Sequence, residues 1–213
     1  KFSPKTIQDL ESYGKPLIFV DSNTLYLGHS CVTTDLEDSV ITALEHFLEH
    51  HHKEIGLLVG QEETADATPL QMDPRQRVFQ QFLTGKGLYE ERFVAVGQFS
   101  TESGYQMMEQ LIQSLGDDLP TAFFMASDAI AVGALRSLQE HQIAVPDRVS
   151  LISFNDTSIA KYVFPALSTV TVYTEEMGKQ AIQMLRQTFQ GSQPSVPCMV
   201  KLATKLTIRD SSR

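Results

Sequence analysis

The 213-residue sequence contains no tryptophan, only two cysteines and no long apolar run. Cys31 and Cys198 lie far apart and form no CxxC pair, so neither a disulfide framework nor a zinc site is indicated, and reduced buried thiols are the simpler interpretation. No apolar stretch approaches the roughly 18 residues that a membrane span needs, and no signal peptide is visible. The sequence begins with Lys1 and not with methionine, so it is compatible with a leader segment that has been removed.

The sequence motifs of common enzymes are also missing. It has no G-x-S-x-G nucleophile turn, no H-E-x-x-H pair, no Walker phosphate loop and no G-x-G-x-x-G. The three histidines at 50–52 invite a metal interpretation, but consecutive residues on a helix point about 100° apart and do not converge on one ion. The sequence therefore predicts no enzyme, no metal site and no cofactor.

Basic residues are few compared with acidic ones. The chain has 17 Lys and Arg against 26 Asp and Glu, a net charge of −9, and its pI is about 5.1. Because a nucleic-acid surface needs a basic patch, any contact with DNA has to come from residues outside this sequence. The fractions of hydrophobic and charged residues, 42% and 20%, are typical of a soluble globular protein.

Apolar residues alternate between strand-like runs and helical spacing along 35–156. This alternation predicts an α/β fold in which a parallel sheet carries helices on both faces. Strands are expected at 17–20, 55–59, 93–96, 122–126 and 149–156. Helices are expected at 35–50, 72–85, 105–115 and 131–138. After Pro165 the pattern predicts a strand at 168–172, a helix at 177–189 and two short strands at 198–203 and 205–209.

Each of the first five strands ends in polar or aromatic residues that would suit a small-molecule pocket. They include Asp21, Gln61, Phe99, Ser127 and Asn155. Ligands of open parallel sheets bind beyond the carboxyl ends of the strands, where such side chains converge. Carboxylates, amides and hydroxyls bond to sugar hydroxyls, and an aromatic face packs on a sugar ring. At any single position, a helix N-cap is an equally good interpretation of a Ser, Asp or Asn.

Arg75 opens the 72–85 helix, where its guanidinium can fork to two adjacent ligand oxygens. The alternative is a solvated surface arginine, and the neighbouring Arg77 fits that description at least as well. Phe99 likewise has an alternative role as ordinary core packing. These alternatives stay open at the level of sequence.

Several blocks of the chain resemble the lactose/galactose repressor family of bacterial transcription regulators. The blocks are "PLIFVD", "FLEHHHKEIGLLVG", "TAFFMASDAIAVGALRSLQEHQIAVPDRVSLISFND", "FPALSTVTV" and "LTIRDSS". The resemblance covers nearly the whole chain and is most specific over 127–156. It implies two doubly wound lobes similar to periplasmic sugar-binding proteins.

The resemblance also implies how the chain is divided. Residues 1–35 and 172–200 resemble part of the N-terminal lobe, and residues 36–171 and 201–213 resemble the C-terminal lobe. We expect the N-terminal lobe to be incomplete, with an exposed sheet edge near 17–20. The DNA-binding headpiece of the family has no counterpart in these residues.

The family's ligand-binding positions fall on Asp21, Arg75, Phe99, Ser127 and Asn155. Ser127 replaces the family's usual Asn, and Asn155 replaces its usual Asp, which leaves the effector's identity open. His51 stands where the family has a helix-ending Gly, so a positive φ is expected there. Asp156 is expected to cap or brace the segment where the chain crosses between lobes.

The implied function is sugar binding by a cytoplasmic, homodimeric repressor. A sugar or sugar phosphate would be the effector, and operator DNA would be bound only by the headpiece, with no membrane partner. The alternatives are a periplasmic or surface sugar-binding protein that feeds a transporter, and an enzyme built on a doubly wound sheet. The missing catalytic motifs weigh against the enzyme.

Overall fold

The computed structural model describes residues 2–62, 72–192 and 194–213, which fold into helices and parallel-dominated sheets. The helices are α1 (Pro4–Glu11), α2 (Leu36–Glu49), α3 (Pro74–Lys86), α4 (Thr101–Leu115), α5 (Asp128–Glu140), α6 (Ile159–Tyr162) and α7 (Thr174–Phe189). The strands are β1 (Phe19–Val20), β2 (Cys31–Thr34), β3 (Ile55–Gly60), β4 (Val94–Gly97), β5 (Ala122–Met125), β6 (Ser150–Asn155), β7 (Ser168–Thr171), β8 (Met199–Leu202) and β9 (Lys205–Thr207). Among the described residues, no helix combines the length and the apolar character that crossing a membrane requires.

A smaller compact unit is formed by residues 2–35 together with 173–204. Its sheet has the order β1–β2–β8, and both pairings are parallel. Ile7, Phe19 and Cys31 are buried together at its centre. Helix α1 begins where sequence chemistry favours a start, because the Ser3 hydroxyl accepts a hydrogen bond from the Thr6 N–H at 3.2 Å and Pro4 follows it.

A larger compact unit is formed by residues 36–62, 72–172 and 205–213. Its sheet has the order β4–β3–β5–β6–β7–β9. The first five strands are parallel, and β9 pairs antiparallel with β7. Because β4 lies on one side of β3 and β5 on the other, the strand order reverses between β3 and β5. Such a switch point opens a crevice at the carboxyl ends of the strands.

The larger sheet is covered on both faces, which explains why β3 and β5 are buried along their whole length. Side chains on one face, including Leu57 and Phe124, join a cluster with α2 and α3. Side chains on the other face, including Leu58 and Phe123, join a cluster with α4 and α5. The alternation follows from the two-residue period of a strand. The predicted α/β architecture is therefore confirmed.

Helices α4 and α5 pack at very close range because each presents a glycine to the other's backbone. A Cβ added to Gly104 would overlap the Ile130 carbonyl, and a Cβ added to Gly133 would overlap the Thr101 carbonyl. No side chain larger than a hydrogen atom fits at either crossing without a shift of the backbone.

Residues 209–212 are bonded into the interior of the larger unit. The Ser211 hydroxyl donates to the Leu151 carbonyl at 2.8 Å and accepts from the Ser168 N–H at 2.8 Å. The Leu151 N–H donates to the Ser211 carbonyl at 2.7 Å. Ser211 and Ser212 are both buried. The segment after β9 thus completes hydrogen bonding inside the fold.

The structure departs from the expected element pattern at one boundary and in several short elements. The chain returns to the larger unit at Lys205, not at 201, because β8 pairs with β2 over its whole length. Helix α1, strand β2 and the four-residue helix α6 were not expected from the sequence. The positive φ expected at His51 is present, at 67°.

Candidate functional site

Four of the five expected site residues lie in the larger unit, at or beyond the carboxyl ends of its strands. Arg75 follows β3 and opens α3, Phe99 follows β4, Ser127 follows β5, and Asn155 ends β6. We refer to these four residues as the strand-end cluster. The fifth, Asp21, lies in the smaller unit, directly after β1. Its φ is 55°, and its N–H donates to the Val32 carbonyl at 2.9 Å.

Arg75 is the centre of the strand-end cluster. Its guanidinium carbon lies 4.8 Å from the centroid of the Phe99 ring and 5.5 Å from that of Phe154. Its Nη1 donates to the Ala126 carbonyl at 2.8 Å. Since Ala126 precedes Ser127 and Phe154 precedes Asn155, these contacts bring the carboxyl ends of β4, β5 and β6 to one arginine. The cation–π arrangement favours a guanidinium in this partly dehydrated position.

Arg75 is buried and paired, so it is not the solvated surface arginine of the alternative interpretation. Its Nε donates to Asp73 Oδ1 and its Nη2 donates to Asp73 Oδ2, both at 2.8 Å. The pair of guanidinium N–H groups that was expected to bind two ligand oxygens is therefore bonded to Asp73 in this structure. An arginine has five N–H donors; among the described residues, Asp73 and Ala126 take three of them, which leaves two for a ligand. Arg77 is exposed, as a surface residue should be.

Asp73 was not identified from the sequence as part of the site. Its carboxylate caps α3 by accepting the Arg75 N–H at 2.8 Å, in addition to binding the guanidinium. A signal was present, because Asp73 followed by Pro74 is the typical start of a helix. The signal indicates a cap, however, and not a carboxylate that also holds the first arginine of the same helix.

Phe99 is half-buried and contacts both hydrophobic clusters of the larger unit. Its ring lies so close to Gly60, the last residue of β3, that a Cβ there would overlap it. Phe99 therefore has the packing role of the alternative interpretation and also presents its ring to Arg75. The two roles are compatible for a ring at the border of the core.

Ser127 is the N-cap of α5, as the simpler interpretation of strand-end serines predicted. Its hydroxyl accepts a hydrogen bond from the Ile130 N–H at 3.3 Å. A hydroxyl that accepts from the backbone still has a hydrogen to donate, so capping leaves it one bond for a ligand. Ser127 is buried.

Asn155 and Asp156 adopt unusual backbone conformations at the end of β6. Their φ values are 107° and 58°. The Asn155 side chain is exposed, whereas Asp156 accepts hydrogen bonds from Arg209 Nη2 at 2.7 Å and from the Thr171 hydroxyl at 2.9 Å. Asp156 thus ties the end of β6 to β7 and to the segment after β9. A non-glycine residue in such a conformation costs about 1–3 kcal/mol and persists where its surroundings hold it.

A groove of about 420 Å³ occurs within the smaller unit. It lies before the starts of β1, β2 and β8, at the amino ends of the parallel strands. Glu11 and His29 line it and contact each other at 2.9 Å between Oε1 and Nε2. Because ligands of parallel sheets bind at the carboxyl ends, the strand-end cluster is the better candidate for the functional site.

Similarity to known proteins covers the whole chain. Residues 44–212 match the family model of the periplasmic binding protein-like domain. The chain is 49% identical over 213 residues to the HTH-type transcriptional regulator GalR of Streptococcus thermophilus, and 34% identical over 211 residues to the HTH-type transcriptional regulator GanR of Bacillus subtilis (strain 168). These alignments include 100% and 99% of this chain but 64% of each relative, so the chain spans less than two thirds of their length.

Solved structures show the same fold. The complex of the transcriptional regulator CelR with cellobiose matches 99% of this chain and 63% of its own, with a TM-score of 0.84 and 24% sequence identity. The relatives named here are described as transcriptional regulators.

Proposed function

Because the chain belongs to the lactose/galactose repressor family of transcription regulators, whose effector-binding domain it forms, we propose that it binds a sugar and thereby controls a bacterial repressor. The strand-end cluster carries the proposal. It combines two donor groups of Arg75, the Phe99 ring and the polar side chains of Ser127 and Asn155 at the switch point of a parallel sheet. Asp21 is the fifth proposed ligand-binding residue.

The proposed ligand is a sugar or a sugar phosphate. The Phe99 ring offers an apolar face, and the guanidinium, hydroxyl and amide groups offer bonds to hydroxyl oxygens. The cellobiose complex of CelR, which has the same fold, supports a sugar over other small molecules. A periplasmic transport role is not favoured, because the GalR and GanR relatives are named as transcriptional regulators. For the same reason we propose a cytoplasmic, non-catalytic protein.

The smaller and larger units correspond, in this proposal, to parts of the N-terminal and C-terminal lobes of the family. A helix-turn-helix segment outside the 213 residues would bind operator DNA. The sugar alters DNA binding only if it binds one conformation of the whole regulator more tightly than another.

We further propose that the regulator is a homodimer that pairs through the surface around α6. Ile159, Tyr162 and Phe164 are exposed within six residues, and the last two expose 83% and 84% of their surface. The Phe164 carbonyl accepts a hydrogen bond from Gln139 Nε2 at 2.6 Å, which fixes this segment on α5. Clustered exposed apolar side chains mark interaction sites, and a twofold axis would let the same patch pair with itself.

Titration calorimetry of the whole protein with galactose, lactose, cellobiose and galactose 6-phosphate tests sugar binding. Arg75→Ala alone would leave the buried Asp73 carboxylate unpaired, at a cost of about 3–5 kcal/mol in stability. We therefore compare Asp73→Asn with the double variant Asp73→Asn/Arg75→Ala. Loss of a charged donor from a desolvated contact costs about 2–5 kcal/mol, so the double variant should bind its sugar more than tenfold more weakly than the single one.

Arg77→Ala provides the matched control, because Arg77 lies on the same helix but is exposed. It should bind the sugar as tightly as the unmodified protein. The proposal is wrong if none of the four sugars binds, or if removing Arg75 changes the affinity no more than removing Arg77.

A further inference from the structure

Asp128 is a buried carboxylate that lies next to the strand-end cluster. It is the first residue of α5, directly after Ser127, and only 1% of its surface is exposed. Its Oδ1 accepts from the Ser153 hydroxyl at 2.6 Å and from the Thr169 hydroxyl at 3.0 Å. Its Oδ2 accepts from the Thr157 N–H at 2.6 Å and from the Thr157 hydroxyl at 2.8 Å.

All four donors to Asp128 are neutral groups. In the part of the chain that the structure describes, Asp128 forms no ion pair. A buried carboxylate is expensive unless its oxygens are well bonded, and four donors with the N-terminus of α5 satisfy that requirement. A small apolar side chain would leave all four donors without this acceptor, and a neutral amide offers them only one oxygen. The carboxylate is therefore needed for its hydrogen bonds and not for packing alone.

The donors bracket the strained end of β6. Ser153 lies two residues before Asn155 and Thr157 lies two residues after it, and Asp128 holds both. Thr169 adds a further link, because its hydroxyl also accepts the Asp156 N–H at 3.3 Å. One carboxylate thus fixes the backbone on both sides of Asn155, whose φ of 107° needs support from its surroundings.

We propose that Asp128 is a positioning residue for sugar binding, which holds Asn155 and Ser127 in the orientation that contacts the ligand. This inference rests on the proposed function, in that it takes Asn155 and Ser127 as ligand contacts. Asp128 itself is covered by its four bonds and acts through the residues beside it.

The substitution Asp128→Asn separates positioning from packing, because it conserves shape. An asparagine has one oxygen, so its NH₂ group must face either the two donors of Thr157 or the two hydroxyls of Ser153 and Thr169. If the NH₂ group faces Thr157, the bond from the Thr157 N–H is lost; if it faces the two hydroxyls, they must accept instead of donate, and the bond from the Thr157 N–H loses its charged acceptor. We expect the whole protein carrying Asp128→Asn to bind its sugar at least tenfold more weakly in calorimetric titrations with galactose, lactose and cellobiose.

A double-variant cycle of sugar affinities distinguishes a positioning role of Asp128 from a purely structural one. If Asp128 acts through Asn155, then Asp128→Asn in an Asn155→Ala background should weaken binding less than threefold further. If Asp128→Asn weakens sugar binding equally in the unmodified protein and in Asn155→Ala, the proposal is overturned. The matched control Asp118→Asn replaces an exposed aspartate of the same unit and should leave affinity unchanged.

Hydrogen exchange of the unliganded protein tests the same idea without any sugar. The Thr157 N–H bonds a buried carboxylate, so Asp128→Asn should speed exchange at least tenfold in the peptide around 155–157, with α4 unchanged. If exchange in this peptide is unchanged, positioning by Asp128 is overturned, whatever the titrations show.

If Asp128→Asn does not fold, Thr157→Val takes its place. This variant removes one of the four bonds, so it should have a smaller effect in the same direction. Absence of sugar binding by the unmodified protein would refute the proposed function and leave the exchange test intact.

Discussion

At the scale of single residues, His46 shows how burial changes a titration. The His46 ring lies 4.2 Å from that of His50, centroid to centroid, and its Nε2 is buried without a hydrogen-bond partner in the described structure. Burial lowers the pKa of His46 below its ordinary value of 6.5; His50 and His52 lower it further, and Glu49 opposes them. Burial and His50 also lower the pKa of His52. The fold therefore favours neutral histidines here.

The sign of the pH dependence follows from these shifts. Just below pH 6.5 the unfolded chain binds more protons at these histidines than the folded chain does, so stability falls as the pH drops through 6.5 toward the lowered pKa values. We expect the free energy of unfolding to decrease between pH 7.5 and 5 by a smaller amount in His46→Leu than in the unmodified protein. Urea titrations across that range measure it.

His51→Asn is the control for this experiment. His51 is exposed and has a φ of 67°, which asparagine tolerates. This variant should keep the pH dependence of the unmodified protein. If His46→Leu and His51→Asn have the same pH dependence, the buried histidine is not its cause.

At this scale the sequence indicates the positions of site residues more readily than their contacts. Asn155 and Asp156 were located at a strand end by the simple stop of an apolar run. The pairing of Arg75 with Asp73 was not foreseen, because a helix cap and a guanidinium partner have the same sequence signature. The bonds from Ser153, Thr157 and Thr169 to Asp128 depend on the order of three strands, which no local pattern encodes.

At the scale of secondary-structure elements, the close crossing of α4 and α5 predicts a sharp contrast between glycines. Gly104→Ala would push a methyl group into the Ile130 carbonyl and should destabilise the protein by about 1–3 kcal/mol. Gly85, in α3, has open space where a Cβ would lie. Gly85→Ala should stabilise the protein by about 0.5–1 kcal/mol, because alanine favours a helix.

Thermal melts of the two variants beside the unmodified protein check this prediction. The melting temperature should fall for Gly104→Ala and rise for Gly85→Ala. Equal melting temperatures for the two variants would mean that the helices separate at little cost, contrary to the packing described above.

Elements with a clear period were predicted well, and short elements were not. Helices α2 to α5 and strands β3, β5 and β6 have enough apolar residues to define a period. Strand β2 has four residues, two of them threonine, and α6 has a single turn, so tertiary contacts decide their conformation. Helix α1 was missed although Ser3 and Pro4 are a recognisable start signal.

At the scale of the whole molecule, the proposed dimer gives a direct test. Tyr162→Asp and Phe164→Asp each place a charge in the exposed apolar segment at α6, and each should convert a dimer of the whole protein into a monomer in sedimentation equilibrium at micromolar concentration. Burying an unpaired carboxylate in the pairing surface accounts for the effect. Tyr26→Asp changes a tyrosine of similar exposure, 76%, in the smaller unit and should leave the dimer intact.

Two outcomes would contradict this assignment. A whole protein that sediments as a monomer at micromolar concentration rejects dimerisation. A dimer that persists in both Tyr162→Asp and Phe164→Asp rejects the α6 segment as its surface.

Ribosomes make the chain from its amino end, so residues 36–172 emerge before the segment that completes their hydrogen bonds. Until Ser211 is synthesised, the N–H groups of Leu151 and Ser168 lack the acceptors they have in the finished fold, and β7 has no β9 beside it. The 173–204 segment is made in between and joins the other unit. Until its last segment is made, the larger unit therefore has an unpaired strand edge at β7, and such an edge can pair with another chain.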